Sequence, residues 1–361
     1  MDMSEQRFTN EEKLLHNWES DANEPDSPAW DEKKFKRMIW RTRFTVVRSV
    51  VSTLLGIFLL VWIYMMLVTS YYHSSGKSDQ FIRYVTTLVE THEPGLKVEK
   101  GGHWNAELTP FLTKKATLKL FKQVGEWQII AGEVTATQTL FGDVTYSINE
   151  NVTYLRTPSR FSFAVPPDLI AGDPSRTQAP SNRSVWEQLK HIEDGYVAEL
   201  AFSTVVGMDP EELLKRLSNY QVRVLSMPVY AGELKGDLKN IPHSTSNELH
   251  FVPHLTLRPF VKYQEEGNGM SWAGWLENAD TLKQSVDQML KDIEWLRQER
   301  SYRESENDGK RLDYLKENGV KVYGAVVTGP VRELEKLKQE QDLFYFQLGR
   351  IEIWNWEEHT S

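Results

Sequence analysis

"KVYGAVVTGPVRELEKL", residues 321–337, reads as an extended, β-rich run that passes a Gly-Pro corner and continues with helical spacing. A glycine turn between a strand and a helix is where a phosphate is often held, so the stretch is either a nucleotide site or a structural corner. A phosphate loop of the Walker type needs G-x-x-x-x-G-K-[ST]. Here Gly324-Ala-Val-Val-Thr-Gly329 is followed by Pro330 and Val331, with no lysine or hydroxyl in place. A dinucleotide fingerprint needs three glycines, and only two occur here, at the wrong interval. Proline at a first helical position removes one amide that a phosphate would use, while suiting a helix start. The corner is read as structural.

A weak internal repeat extends this reading. "YVAELAFSTVVGMDPEELLKRLSNYQVRVLSMPVY", residues 196–230, matches residues 321–356 as strand, proline turn, short helix and strand. Aligning Pro210 with Pro330 sets Leu214 on Leu334 and Leu217 on Leu337. Two such units in one domain predict an α+β fold containing a ferredoxin-like, split βαβ sheet with both helices on one face. The insert 231–309 holds a longer helix near Asn278–Arg303, with Leu282, Val286, Met289, Ile293 and Leu296 at helical spacing as its core face. "GKRLDYLKENG" predicts a short helix stopped by Gly319. Upstream, 78–92 reads as a helix, the runs flanking Gly125-Glu126 as a hairpin, and Tyr146–Leu155 as a further strand. Residues 158–184 contain Pro158, Pro166, Pro167, Pro174 and Pro180 and read as a loop or linker.

"SVVSTLLGIFLLVWIYMMLVTS", Ser49–Ser70, has no charged residue. At about 1.5 Å per residue it makes a helix of about 33 Å, against roughly 30 Å of bilayer hydrocarbon. Trp62, Tyr64, Tyr71 and Tyr72 toward its far end suit a membrane interface. Lys33, Lys34, Lys36, Arg37, Arg41, Arg43 and Arg48 precede the span, whereas 71–86 carry only Lys77 and Arg83. The excess of Lys and Arg predicts a cytoplasmic N-terminus and an extracytoplasmic C-terminal region in a single-pass protein of the cell membrane. The expected organisation is a cytoplasmic acidic tail and basic juxtamembrane helix (1–44), the span (45–72), a membrane-proximal α/β region (73–157), the proline-rich stretch (158–184) and a C-terminal module (185–361). In the tail, "NEEKLLHNW" predicts a helix with Leu14, Leu15 and Trp18 on one face. A second helix from Asp31 places Phe35, Met38, Ile39 and Thr42 at i, i+3, i+4, i+7 among basic residues. Such a face either rests on anionic lipid or docks a cytoplasmic protein.

No constellation for chemistry emerges. The net charge of −9 argues against direct nucleic-acid binding. The chain has no cysteine, which excludes disulfides, thiol catalysis and Cys-ligated metals. His243, His250 and His254 fall close together, but Pro253 and β-type neighbours break the helix that i, i+4 ligands would need. They read as loop histidines, and Trp272 and Trp275 as packing or loop anchors. No catalytic, cofactor-binding or metal-binding residues are expected, and the chain is not read as an enzyme.

"RLDYLKENGVKVYGAVVTGPVRELEKL", with the later "RIEIWNW", closely resembles the C-terminal module of the sigma factor regulator family of Gram-positive bacteria. The basic stretch, the span and the region to about Leu140 resemble that family's N-terminal module. The matching positions include Arg311, Asp313, Tyr314, Gly319, Tyr323, Gly324, Gly329, Pro330, Trp354 and Trp356, and the resemblance implies no role for any one of them. It implies a membrane anti-sigma factor that holds an extracytoplasmic-function sigma factor at the membrane in response to the state of the envelope. One departure stands out. Many anti-sigma factors wrap their partner in a longer helical domain, often with a His/Cys zinc motif, whereas here the cytoplasmic part is short, cysteine-free and interrupted by Pro25 and Pro28. Trp18, Trp30, Phe35, Met38 and Ile39 are the expected anchors of a segment that folds on its partner. A second membrane subunit would complete the binding surface. The alternative is an extracytoplasmic binding or assembly module tethered to the bilayer, with no sigma contact.

Overall fold

The computed structural model describes residues 32–99, 106–150, 160–170, 183–236, 238–246, 249–263, 270–272, 275–299 and 301–357. The expected helix around Leu14, together with Trp18 and Trp30, lies outside the described residues. A single helix, α1 (Glu32–Ser74), runs through the basic stretch and the apolar span. It is the one described helix long and apolar enough to cross a membrane, and its apolar stretch is not buried against the rest of the protein. The hydroxyls of Thr42, Thr45 and Thr53 each donate to the carbonyl four residues earlier, so these donors are satisfied within the helix.

Residues through Leu67 fall in one unit and those from Val68 onward in a second. Tyr72 is 3% exposed and belongs to the core of the second unit. It is therefore an internal packing residue, which corrects its reading as an interface aromatic. Tyr71 is exposed.

The second unit begins with α2 (Lys77–His92), whose Phe81, Val85, Leu88 and Val89 face a five-stranded sheet. That sheet comprises β1 (Leu96–Val98), β2 (Ala106–Leu108), β3 (Lys114–Val124), β4 (Trp127–Gln138) and β5 (Val144–Glu150). Its path runs β1-β3-β4-β5, with β2 also pairing to β3. Ala116, Leu118 and Leu120 alternate inward along β3, the two-residue period of a half-buried strand. Gly125, at a left-handed φ of 60°, turns β3 into β4.

The proline-rich stretch is built into the body where it is described. Phe161, Phe163, Ala164 and Val165 are buried, and β6 (Ala164–Val165) carries an amide that donates to Ser203 Oγ at 2.9 Å. Residues 160–170 are thus part of the packed core, not a free linker. Next come α3 (Arg183–His191), β7 (Tyr196–Met208), α4 (Pro210–Leu217) and β8 (Arg223–Tyr230). The insert follows with β9 (Ser244–Ser246), β10 (Leu249–Phe251), β11 (Leu255–Leu257), β12 (Val261–Tyr263), β13 (Met270–Trp272), α5 (Ala279–Glu299) and α6 (Ser305–Asn318). The chain closes with β14 (Lys321–Pro330), α7 (Val331–Lys336) and β15 (Leu343–Ile353).

The second five-stranded sheet has the order β11-β8-β14-β7-β15, every pair antiparallel. Strand β14 lies between the two strands of the first β-α-β unit, and β7 lies between the two strands of the second. Leu213, Leu214 and Leu217 of α4 share one core cluster with Val331, Leu334 and Leu337, as the aligned repeat requires. The two helices start differently. Asp209 caps α4 by accepting from the Glu211 amide at 2.9 Å, with Pro210 inside the first turn. Pro330 instead ends β14 and is itself the cap of α7, so it sits one position earlier than expected. Gly324 and Gly329 lie inside β14 and not in the turn. A Cβ at 324 would fall 2.3 Å from the Phe202 carbonyl oxygen on the neighbouring strand. That glycine is there for close strand approach.

Candidate functional site

Several of the motif residues surround a buried ionic cluster. Arg311, on α6, is 1% exposed. Its Nη1 donates to Asp308 Oδ1 at 2.9 Å, one helical turn away, and its Nη2 donates to the Pro253 carbonyl at 3.0 Å. Its Nε lies 3.2 Å from Glu233 Oε1, an ion pair without hydrogen-bond alignment. Asp308 also accepts from the Tyr302 hydroxyl at 2.5 Å and meets His92 Nε2, from α2, at 2.9 Å. His92 Nδ1 faces the Leu88 carbonyl at 2.8 Å. Both imidazole nitrogens therefore face acceptors, which suits the protonated ring.

Burial opposes charge on His92, but the Asp308 carboxylate outweighs it and raises the pKa above its ordinary 6.5. Burial likewise opposes the Asp308 carboxylate, yet His92, Arg311 and Tyr302 hold its pKa well below the ordinary 3.8. The stability contributed by His92 is complete below pH 6.5 and is lost as pH rises through its raised value. That from Asp308 is present above 3.8 and fades as pH falls toward its lowered value. His254 works the other way. Burial keeps it neutral, with its pKa lowered to about 4, so its contribution is lost as pH falls below 6.5. The comparison that isolates His92 is wild type against His92→Gln. The gap in unfolding free energy between them is expected to narrow as pH rises from about 6 to about 9, read by denaturant titration at each pH. A gap that stays constant would show that folding leaves the ring's pKa unshifted, and a gap that widens would show that the ring is neutral in the folded state.

Two clefts adjoin the cluster and share His92, Glu93 and Arg160. One, of about 380 Å³, is also lined by Tyr146, Tyr302 and Glu304; the other, of about 450 Å³, by Phe161, His243, Phe251 and His254. Arg160 lies between Glu150, at 2.7 Å, and Glu93, at 3.6 Å. His243 and His250 stand with rings parallel within 5° and Nε2 and Nδ1 2.8 Å apart, sharing one hydrogen bond. His254 does not join them. It lies in the connection between β10 and β11, as read, but is buried there between Phe163 and Tyr323, with ring centroids at 5.3 and 5.9 Å. Among the described residues, no group of three or more His, Asp or Glu is placed to hold a metal ion.

The motif positions divide between two places. Tyr314 packs edge-on against Tyr230 at 5.9 Å, and Tyr323 is fully buried; both stand beside the Arg311 cluster. Asp313 is exposed, and Gly319 closes α6 at a left-handed φ of 76°. The carboxy-terminal motif lies elsewhere. Asn355 Oδ1 accepts from the Glu126 amide at 3.0 Å, and Trp356 is buried with the Arg223 guanidinium 4.7 Å over its ring; Trp354 is half exposed. Arg223 also pairs with Glu126 and faces Trp275 at 5.1 Å. The Gly125 amide donates to Thr328 Oγ1 at 2.7 Å on β14. A Cβ at 125 would fall 1.9 Å from Asn355 Oδ1, so the turn glycine is required by its partner as well as by its φ. The tip of the β3–β4 hairpin is thus clasped by the second sheet and the tail. Nearby, Lys122 Nζ donates to Glu199 Oε2 at 3.2 Å, with both side chains almost fully buried.

On α1, Phe35, Met38 and Ile39 are 46%, 61% and 38% exposed at helical spacing.

A model described as sigma factor regulator N-terminal matches residues 36–129, and one described as sigma factor regulator C-terminal matches residues 189–350. The chain belongs to the sigma factor regulator family. It is also 25% identical over 183 residues to the probable anti-sigma-M factor YhdL of Bacillus subtilis (strain 168), across 51% of this chain and 47% of that protein. It thus spans about half the length of the curated relative it matches. No solved structure matches the chain significantly.

The two sigma factor regulator modules are held together by the contacts just described. The N-terminal match ends just past the clasped hairpin tip, and His92–Asp308, Lys122–Glu199 and Arg258–Glu90 (2.6 Å) all join one module to the other. His92, Glu233, Asp308 and Tyr302 were absent from the expected set. His92 and Glu233 lie far in sequence from their partners, Tyr302 is six residues from Asp308, and only the i, i+3 pair Asp308–Arg311 has a spacing that sequence reasoning uses.

Proposed function

We propose that the chain is a membrane-anchored anti-sigma factor that restrains an extracytoplasmic-function sigma factor. The N-terminal segment meets the partner in the cytoplasm, α1 crosses the bilayer, and the unit from Val68 onward stands outside as a sensor. The observation that carries this reading is the match of both family modules to one chain in which the one spanning-length helix among the described residues lies largely inside the N-terminal match. The name of the relative supports it. The interleaved strand order supports a ferredoxin-like, split βαβ core for the outer part. The protein is taken to act by binding and not by chemistry. A second membrane subunit would extend the short cytoplasmic surface.

Phe35, Met38 and Ile39 are the described anchors, and exposed apolar side chains at i, i+3 and i+4 suit a groove on a partner. Full-length protein in detergent is expected to bind an extracytoplasmic-function sigma factor from the same cell. Phe35→Ala with Met38→Ala should weaken that binding by about tenfold or more, about 1.4 kcal/mol, in a titration at fixed salt. Equal affinity in the double variant would remove these anchors. No binding by wild type would remove the sigma partner itself and leave the tethered binding module as the reading.

A further inference from the structure

The end of the first sheet opposite the clasped hairpin tip carries an apolar patch that the proposed function does not use. The β2–β3 turn, 109–113, and the β4–β5 turn, 139–143, are neighbours there, because Lys114 opens β3 directly opposite Gln138, the last residue of β4. Phe111 is 87% exposed, Phe141 96% and Leu140 56%. Large apolar side chains left this open, and gathered at one place, mark a contact surface.

The position of the patch indicates what covers it. Lys114 Nζ lies 5.9 Å over the Tyr72 ring and 6.0 Å over the Phe81 ring, so this end of the sheet packs beside Tyr72. Tyr72 is two residues past the apolar span, which ends at Ser70. The turns are therefore held beside the first residues that follow the span. Strand β3, 11 residues long, spans about 35 Å, so the clasped tip at Gly125 lies at the far end of the strand from Lys114 and Tyr72. The rim is mixed in charge: Lys115, Glu107 and Asp143 are exposed, and Lys77 sits 4.9 Å over the exposed Tyr71 ring. An apolar centre with aromatic and lysine neighbours suits the boundary between headgroups and acyl chains.

We infer that the 109–113 and 139–143 turns dip Phe111, Leu140 and Phe141 into the outer leaflet of the membrane that α1 crosses. The unit from Val68 onward then has two points of lipid contact of its own besides its tether. The inference rests on α1 spanning the bilayer.

The absence of native cysteine makes the test direct. Phe111→Cys and Phe141→Cys, with Glu133→Cys and Ser218→Cys as exposed references, are labelled with a nitrobenzoxadiazole probe in full-length protein. The protein is reconstituted in phosphatidylcholine–phosphatidylglycerol vesicles containing lipid with a nitroxide high on the acyl chain. Quenching at 111 and 141 is expected to exceed that at 133 and 218 several-fold. Equal quenching at all four sites overturns the inference. So does a blue-shifted but unquenched probe at 111 or 141, which would mean cover by protein, such as a second copy. Leu60→Cys, within the span, reports insertion separately. An unquenched label there would remove the spanning reading and this inference with it, while a quenched Leu60 beside unquenched turns would remove the inference alone.

Discussion

Arg311→Ala is expected to destabilise the protein by about 3–5 kcal/mol, because removal of the guanidinium leaves Glu233 buried without its counter-charge and Asp308 with His92 alone. Both carboxylate side chains are fully buried, so water cannot replace the cation. Arg311→Lys is expected to rescue only part of the loss. An ammonium restores the charge, but cannot reach Asp308, Glu233 and the Pro253 carbonyl with the geometry of a planar fork. Chemical unfolding of the full chain in detergent, followed by near-ultraviolet circular dichroism, provides the measurement. A loss below about 1 kcal/mol in Arg311→Ala would mean that the cluster relaxes or hydrates at little cost, and the structural role given to this motif residue would fail.

Lys122→Met is expected to have a comparable effect, about 3–5 kcal/mol, at the junction of the two modules. Glu199 is completely buried on β7, and Lys122 Nζ supplies its one described hydrogen bond, at 3.2 Å. The ammonium also lies 4.4 Å over the Phe161 ring, so the substitution removes a cation–π contact as well. Adding Glu199→Gln to Lys122→Met removes the stranded charge and should recover much of the lost stability. The decisive quantity is the difference between the double variant and the sum of the single ones. Simple additivity would show that the two side chains do not act as a pair.

Much of the second sheet was legible because its signals are local. Leu214 and Leu334 fall at matching places after matching prolines, and both are buried in the same cluster. The α5 core positions Leu282, Met289, Ile293 and Leu296 were likewise given by helical spacing, with Val286 only partly covered. The ionic cluster was not legible as a whole, since His92 and Asp308 stand 216 residues apart and only the Asp308–Arg311 spacing is local. The packing of the proline-rich stretch was hidden for a related reason. Pro166 and Pro167 break regular structure, but Phe161 and Phe163 beside them carry the apolar bulk that fastens the segment to the sheet. Tyr72 shows the limit of composition near a membrane, where an aromatic suits both lipid boundary and protein core, and only its neighbours decide.

The alternation of strands in the second sheet has a consequence for a chain that is cut. Because β14 lies between β7 and β8, and β7 between β14 and β15, the sheet has no seam dividing one repeat from the other. A single nick in a loop of the 231–309 insert would produce two fragments that remain threaded through each other's hydrogen-bond ladder. Loss of covalent continuity there would not release either half, and neither repeat could close its own sheet if made alone.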